Sequence, residues 1–230
     1  MTQLARKKVV FIIVEGPSDE EALGTLFCKI FDNNSIYVCI MHKDITTDRG
    51  VKPENILAKL GNEVRKYAKA NHFANQDFQE IIHIVDMDGA YVPNECVIED
   101  STITKTVYST SNILTSSVSN ILSRNEQKRN NLNKLCLCSK LWNIPYRVFY
   151  MSCNLDHVLH NKLNIPDIEK ENSAHKFAAY YRSNVGEFRR FMLDSDFSVV
   201  AGYKESWEFI KSGIESLQRH TNVGLCFPAD

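Results

Sequence analysis

The strongest constraint on the fold is a short apolar run followed at once by an acidic turn and a helix. Residues Val9–Val14 are β-branched or aromatic and apolar without alternation, which predicts a strand buried on both faces of a parallel sheet. Ser18 and Glu21 then have the spacing of a capping box, and an apolar stripe at helical spacing continues to Ile30. The chain therefore opens with a strand, a tight turn and a helix.

The same pattern recurs along the chain. Further apolar strands are predicted at 36–41, 80–85 and 146–151, and a second helix carries an apolar stripe that runs from Leu57 to Tyr67. Strands that alternate with helices favour a parallel sheet with helical crossovers. We therefore predict an α/β fold with a mainly parallel, four-stranded sheet flanked by helices.

Two regions do not fit short crossovers. Residues 90–144 separate the third and fourth strands, and we expect them to form a helical insertion. Residues 161–230 contain apolar positions at helical spacing, so we expect a helical C-terminal extension packed on the domain formed by 1–160. The apolar face of this extension could pack on the core, dock a partner or dock a second copy of the chain, and we favour core packing.

Positive charge is concentrated in one part of the chain. The formal net charge is −1, which excludes a uniformly basic coat, but 101–150 contains seven Lys or Arg residues and a single acid. This segment is a candidate track for nucleic-acid phosphates, and the alternative is a solvated basic helix. The residues assigned to the track are Arg124, Lys128, Arg129 and Lys134.

Several classes of protein are disfavoured by composition. The longest apolar run is far shorter than the ~20 residues that span a bilayer, and Glu15 interrupts it too early for a signal peptide. The seven cysteines include no CxxC pair, which favours reduced thiols and argues against a zinc site. We therefore expect a cytoplasmic protein that does not enter membranes.

Acidic residues follow every strand of the first half. Because the carboxyl ends of parallel strands lie at one edge of the sheet, these side chains are expected to converge there. They are Glu15, Asp19, Asp44, Asp48, Asp86 and Asp88. Clustered carboxylates repel one another unless a cation neutralises them, and oxygen ligands suit Mg²⁺ or Mn²⁺. Taken singly, each acid has a plainer interpretation as a turn former or a helix-start residue.

The combination of these motifs resembles the Toprim domain. The segment from Val14 to Glu20 is similar to the first motif of that family, a glutamate that ends the first strand, and Asp86-Met87-Asp88 is similar to its Asp-x-Asp motif. The resemblance covers residues 7–90 best and 145–160 less well. The pattern of Glu15 followed four residues later by Asp19 is most similar to the pattern found in the OLD-type nucleases.

The resemblance implies a set of site residues for phosphodiester chemistry with Mg²⁺ or Mn²⁺. Glu15, Asp86 and Asp88 would hold one cation, Glu15 would also act in proton transfer, and Asp19 would help to hold a second cation. Asn154-Leu155-Asp156 stands where relatives carry Asp-Leu-Glu, so Asp156 is the candidate ligand there although it departs from the pattern. The candidate for the downstream catalytic lysine of the OLD-type relatives is Lys176.

The resemblance also implies a biological setting. The chain contains no P-loop motif and is similar to small standalone Toprim proteins of antiphage and abortive-infection systems, which are encoded with a separate ATPase. The leading hypothesis is therefore a metal-dependent endonuclease acting on DNA or RNA with an ATPase partner. The alternatives are a non-catalytic Toprim-fold subunit that regulates an ATPase, and an RNA-processing maturase.

Overall fold

The computed structural model describes residues 8–31 and 36–228, with only the backbone described at 36, 37 and 39. The strands are β1 (Lys8–Val14), β2 (Ile36–His42), β3 (Phe78–Asp86), β4 (Val97–Glu99), β5 (Val107–Tyr108), β6 (Ile113–Thr115), β7 (Lys140–Leu141), β8 (Ile144–Ser152) and β9 (His220–Thr221). The helices are α1 (Pro17–Ile30), α2 (Ile56–Ala70), α3 (Val118–Cys136), α4 (Leu155–His160), α5 (Asp167–Tyr181), α6 (Val185–Leu193) and α7 (Tyr203–Ile210).

The main sheet confirms the predicted α/β class. Its strand order is β2-β1-β3-β8-β7, and β9 also pairs with β8. The four strands predicted from sequence, β2, β1, β3 and β8, are all parallel to their neighbours in this order. The short strands β7 and β9 pair antiparallel with β8, so the sheet is mixed and has six strands rather than four.

Both faces of the central strand are buried, as the unbroken apolar run predicts. Val10, Ile12 and Val14 belong to an apolar cluster that also contains residues of α1, α4, α5 and α6. The alternate residues of β1 belong to a second cluster on the opposite face, under α2, α3 and α7. Successive side chains of a strand point to opposite faces, so a strand covered on both sides needs apolar residues at every position.

The first helix begins earlier than its capping-box pattern predicts. Its N-cap is Gly16 and its first residue is Pro17, a residue favoured at that position because its φ is already helical and it has no N–H to leave unpaired. The predicted Ser18–Glu21 capping box is therefore wrong. The carboxylate of Asp19 accepts a hydrogen bond from the backbone N–H of Gly16 at 3.0 Å and fills the capping role instead.

The insertion between β3 and β8 is only partly helical, which corrects the expectation for residues 90–144. Strands β4, β6 and β5 form a small separate sheet in that order, and α3 follows them. A third apolar cluster, which includes Val97 and Ile113, holds this sheet against the main domain. The three strands have two or three residues each, which is too short for an alternating pattern to be recognised in a sequence rich in Ser and Thr.

The C-terminal segment belongs to the same core as the sheet. α5 and α6 pack on α1, as the predicted helical extension requires. The segment also reaches the last parallel strand, because β9 pairs with β8 and the side chain of Asn222 accepts the N–H of Tyr150 at 2.8 Å. None of the helices that the structure describes, in this segment or elsewhere, has the length and apolar character to cross a bilayer.

Candidate functional site

The sheet order brings two acidic residues to the point where the strand connections change direction. β1 lies between β2 and β3, so the chain first adds a strand on one side of β1 and then continues on the other. Glu15 directly follows β1, and Asp86 is the last residue of β3. In open parallel sheets, ligands bind in the crevice beyond the carboxyl ends at this switch point.

A buried lysine joins the acidic motifs of the two strands. Nζ of Lys128 lies 2.5 Å from Oδ2 of Asp88 and 3.4 Å from Oε2 of Glu15. The side chain of Lys128 is 0% exposed, and those of Glu15 and Asp88 are 11% and 23% exposed. Burial alone would lower the pKa of Lys128, but Asp88 and Glu15 raise it above its ordinary value, so the ammonium is charged. Because one nitrogen contacts both carboxylates, Glu15 and Asp88 are close enough to share one cation.

Glu15 and Asp86 are acids whose charged forms are disfavoured where they lie. Burial raises the pKa of Glu15 to about 8, and the opposing attraction of Lys128 is the smaller effect. Burial also raises the pKa of Asp86 well above its ordinary value, and repulsion from Glu15 and Asp19 adds to the shift. Oδ1 of Asp86 accepts one hydrogen bond, from the N–H of Leu155 at 2.9 Å. Carboxylates in this condition are stabilised by an added cation.

Asp88 lies in a turn rather than in an extended strand. β3 ends at Asp86, and Asp88 and Gly89 have φ values of 47° and 66°, in the left-handed region that Asp tolerates and Gly favours. The N–H of Asp88 donates to the carbonyl of Cys153 at 2.7 Å. Asp86 and Asp88 therefore do not lie on one extended strand, and the turn interpretation of this motif holds. The turn aims Asp88 at Lys128.

Asp19 and Asp156 extend the group of acids towards α4. Burial raises the pKa of Asp19 to about 6, against the hydrogen bond from Gly16, and Asp156 raises it further. Burial also raises the pKa of Asp156. Asn154 has a structural role, because its side chain caps α4 by accepting the N–H of His157 at 3.0 Å.

The loop after β2 contributes a sixth acid and a hydroxyl. Oγ1 of Thr46 lies 3.3 Å from Oε1 of Glu15 and 3.1 Å from Oδ1 of Asp44, and donates towards these acceptors. Burial opposes ionisation of Asp44, but Lys128 and the hydrogen bonds from Thr47 and Thr46 outweigh it, so the pKa of Asp44 is lowered. We call the six residues Glu15, Asp19, Asp44, Asp86, Asp88 and Asp156 the acid cluster.

Helix α3 is fixed against this edge of the sheet by polar side chains. Nδ2 of Asn131 donates to the carbonyl of Thr46 at 2.9 Å, and Nε2 of Gln127 donates to the carbonyls of Asp48 and Val51 at 3.0 and 3.2 Å. Asn131 is buried. These bonds hold α3 against the loop after β2, which fixes the position of Lys128.

The four residues predicted to form a nucleic-acid track do not lie on one surface. Lys128 is fully buried in the acid cluster, and Arg124 is half-buried, donates to the carbonyl of Asp88 at 2.8 Å and contacts the hydroxyl of Tyr108. Lys134 is exposed, and Arg129 is half-buried. A phosphate track that includes Lys128 is therefore wrong for this structure, because a side chain without exposed surface cannot meet a phosphate outside the protein.

The other predicted lysine is separate from the acid cluster. Lys176 is exposed on α5 and borders a surface depression together with His160 and Tyr181. Within residues 8–31 and 36–228, no hydrogen bond or ion pair joins Lys176 to a carboxylate of the cluster. The lysine that does contact these carboxylates is Lys128.

The donor set of the acid cluster fits a hard cation. Its ligands are carboxylate oxygens, which suit Mg²⁺ or Mn²⁺ and not zinc. Within the part of the chain that the structure describes, no three His, Cys, Asp or Glu side chains form a group able to hold a metal ion. The ammonium of Lys128 provides the charge between Glu15 and Asp88. Glu15, Asp86 and Asp88, with Asp19 beside them, are the residues that would have to move together around a divalent ion, since the structure does not arrange three of them as a metal group.

Lys128 could have been recognised from its position in the helical pattern. Ile121, Asn125, Lys128, Leu132 and Leu135 follow one another at intervals of three or four, and all are buried on one face of α3. A lysine within an apolar stripe is expected to be buried and therefore paired with acids. Counting charges over the whole segment instead led to the prediction of a solvent-facing track.

Comparisons with protein-family models, with curated proteins and with solved structures gave no match to this chain. Its function is therefore inferred from its own residues.

Proposed function

We propose that this protein is a divalent-metal-dependent nuclease of Toprim type that hydrolyses phosphodiester bonds in DNA or RNA. One observation carries the proposal: Glu15 and Asp88 hold the same cationic nitrogen at the switch point of the sheet, with Asp86 beside them. An edge with this many buried carboxylates attracts cations, and the switch-point crevice is where a ligand is expected. The Toprim motifs at 14–20 and 86–88 support the same interpretation.

The residues of the cluster provide the functions that phosphodiester hydrolysis requires. Glu15, Asp86, Asp88 and Asp19 would hold the divalent cations, which when bound activate water and stabilise the leaving oxygen. The resemblance also gives Glu15 a role in proton transfer. Without a metal the pKa of this carboxyl is raised to about 8 by burial, and a bound cation would lower it and favour the charged form. Lys128 provides a fixed positive charge that holds Glu15 and Asp88 close together beside the cation site.

With this chemistry we propose the setting that the sequence resemblance implies. The protein would be the nuclease effector of an antiphage or abortive-infection system, in the cytoplasm, acting with a separate ATPase. The ATPase partner rests on the sequence resemblance alone.

The test is cleavage by purified protein in Mn²⁺ or Mg²⁺. Glu15→Gln and Asp86→Asn each remove one negative charge with little change in shape, and each should lower the cleavage rate by about 100-fold or more. The matched control is Glu95→Gln, an exposed acid outside the cluster, which should cut at the wild-type rate. Equal cutting by the wild type and both cluster variants would assign the activity to a contaminant. Comparing structured RNA with duplex DNA would separate a maturase from a general nuclease.

A non-catalytic role is the second candidate, and the position of Lys128 favours it. Its ammonium already neutralises Glu15 and Asp88, which is the task a metal ion would perform. Isothermal titration with Mn²⁺ separates the two candidates. Binding that is lost in Asp86→Asn supports the nuclease. An absence of Mn²⁺ binding, together with wild-type biological effect in Glu15→Gln, supports a regulatory subunit.

A further inference from the structure

A basic groove lies beside the acid cluster, on the α2 side of the molecule. Its volume is about 520 Å³. Five cationic side chains line it, namely Lys43, Lys59, Arg65, Lys66 and Lys69. The acids that line it are Asp48 and Glu63, so the groove has an excess of positive charge although the chain as a whole is slightly negative.

Part of this charge is not used by the fold. Lys43 pairs with Asp48 at 3.3 Å and Lys66 pairs with Glu63 at 2.9 Å, in both cases between partly exposed side chains. The exposed guanidinium of Arg65 donates only to the neutral side chain of Asn62 among the contacts described. Exposed ion pairs contribute little to stability, so these cations are available to a ligand with more negative charge.

The cations of α2 form a row along its solvent side. The opposite side of the helix is buried in the core through Leu60, Val64 and Ala68. From Lys59 to Lys69 the row extends about 15 Å along the helix axis, at 1.5 Å per residue. The phosphates of a nucleic-acid strand repeat along its backbone, so a row of this length can meet more than one of them.

The groove leads to the candidate catalytic centre. Lys43 and Ile45 line the groove, and the residue between them, Asp44, belongs to the acid cluster. Thr46, the next residue of the same loop, donates to Glu15 at 3.3 Å. One side of this loop therefore faces the groove and the other contacts the acid cluster, so a strand lying in the groove would approach Glu15 from the β2 side.

We infer that this groove binds the sugar-phosphate backbone of a nucleic acid and delivers the strand to the acid cluster. The inference builds on the proposed nuclease function and names the substrate-binding surface, which is on α2 and the loop after β2 rather than on α3. The groove binds through charge, without reading bases, because its cations are flexible lysines and one arginine that match repeating phosphates.

The experiment measures binding in EDTA, where no divalent ion can contribute. Fluorescence anisotropy with a labelled 24-nucleotide DNA, single-stranded and duplex, compares wild type with the double variant Arg65→Gln/Lys69→Gln. Losing two phosphate contacts should weaken binding about tenfold at 0.1 M salt. It should also reduce the slope of log K against log salt concentration by about 1.4 to 1.8. The matched control is Lys29→Gln/Lys204→Gln, which removes two exposed lysines elsewhere and should bind as wild type does.

The outcomes separate this inference from the proposed activity. If Arg65→Gln/Lys69→Gln binds DNA with the same affinity and the same salt slope as wild type, the proposed role of the groove is overturned. The nuclease proposal would still stand. An absence of nucleic-acid binding, or a preference of the groove for an acidic polypeptide such as polyglutamate, would also overturn it. Glu15→Gln should bind DNA no more weakly than wild type while losing cleavage, which assigns the binding to the groove and the chemistry to the cluster.

Discussion

Replacing Lys128 with Met tests whether the acid cluster depends on its internal ammonium. Met has a similar length and no charge, so the substitution removes the cation while filling most of the same space. Asp88 and Glu15 would lose their shared partner at 2.5 and 3.4 Å. Lys128 also lowers the pKa of Glu15, so its removal should raise that pKa further above about 8.

The magnitude follows from the distances and the burial. At an effective dielectric of 20, the attraction is about 7 kcal/mol for the pair with Asp88. Glu15 adds less, because its raised pKa of about 8 leaves it mostly protonated at pH 7. The cost of taking an ammonium out of water offsets several kcal/mol of this attraction. Deleting one partner of a buried ion pair destabilises by about 3–5 kcal/mol, because the remaining charges lose their compensation. For a chain of this size, such a loss lowers the Tm by about 10 °C.

Thermal and urea unfolding in EDTA at pH 7 measure this effect. The matched control is Lys134→Met on the same helix, where the lysine is exposed and the expected change is within about 0.5 kcal/mol. The double variant Lys128→Met/Asp88→Asn should be less destabilised than the sum of its single variants, since each partner is needed only when the other is present. If Lys128→Met unfolds within about 1 kcal/mol of wild type, the ammonium does not hold the cluster together and the reasoning is refuted.

Two further predictions concern the edge of the sheet and the core. Gly89→Ala should lower the free energy of unfolding, measured in urea, by about 3 kcal/mol. The reason is that φ at Gly89 is +66° and an added Cβ would lie 2.7 Å from Cδ2 of Leu217. An unchanged free energy of unfolding would mean that this turn is not tightly packed. Burial lowers the pKa of His83 to about 3. As the pH falls below about 6.5, His83 therefore binds a proton in the unfolded chain but stays neutral in the folded chain. His83 should therefore make stability fall by up to about 1.4 kcal/mol per pH unit between pH 6 and 4, and His83→Gln, which can still bond Tyr146, should remove that part of the slope. Identical slopes in the two proteins would show that His83 is not buried in its neutral form.

The parts of the fold that show a clear local sequence pattern could be predicted from the sequence alone. The four parallel strands were predicted to within two residues because each contains a short run of mostly apolar residues at successive positions, without strict alternation. The convergence of Glu15, Asp86 and Asp88 was also predictable. It depends only on the rule that carboxyl ends of parallel strands share an edge. The ion pairs of Glu15 and Asp88 with Lys128 agree with it, as does the repulsion of Asp86 by Glu15 and Asp88.

The remaining parts depend on contacts that no local pattern encodes. The strands of the insertion and β9 have two or three residues each and exist because a neighbouring strand is already in place. The predicted start of α1 is two residues late because Pro17 and the carboxylate of Asp19 define it, whereas the capping-box pattern places the cap at Ser18. The inward orientation of Lys128 depends on the bonds from Asn131 and Gln127 to a loop that precedes them by about eighty residues.

These contacts give the insertion a part in the site itself. Buried carboxylates at one sheet edge repel one another, so such a cluster folds only with protons or a cation among its members. Here Lys128 of α3 provides the cation, and Arg124 of the same helix bonds the turn that carries Asp88. The strand-end acids and the insertion are therefore one electrostatic unit. A divalent ion that binds between Glu15 and Asp88 must displace or share the place of this ammonium, so the affinity of the site for metal is set by α3 as much as by the acids.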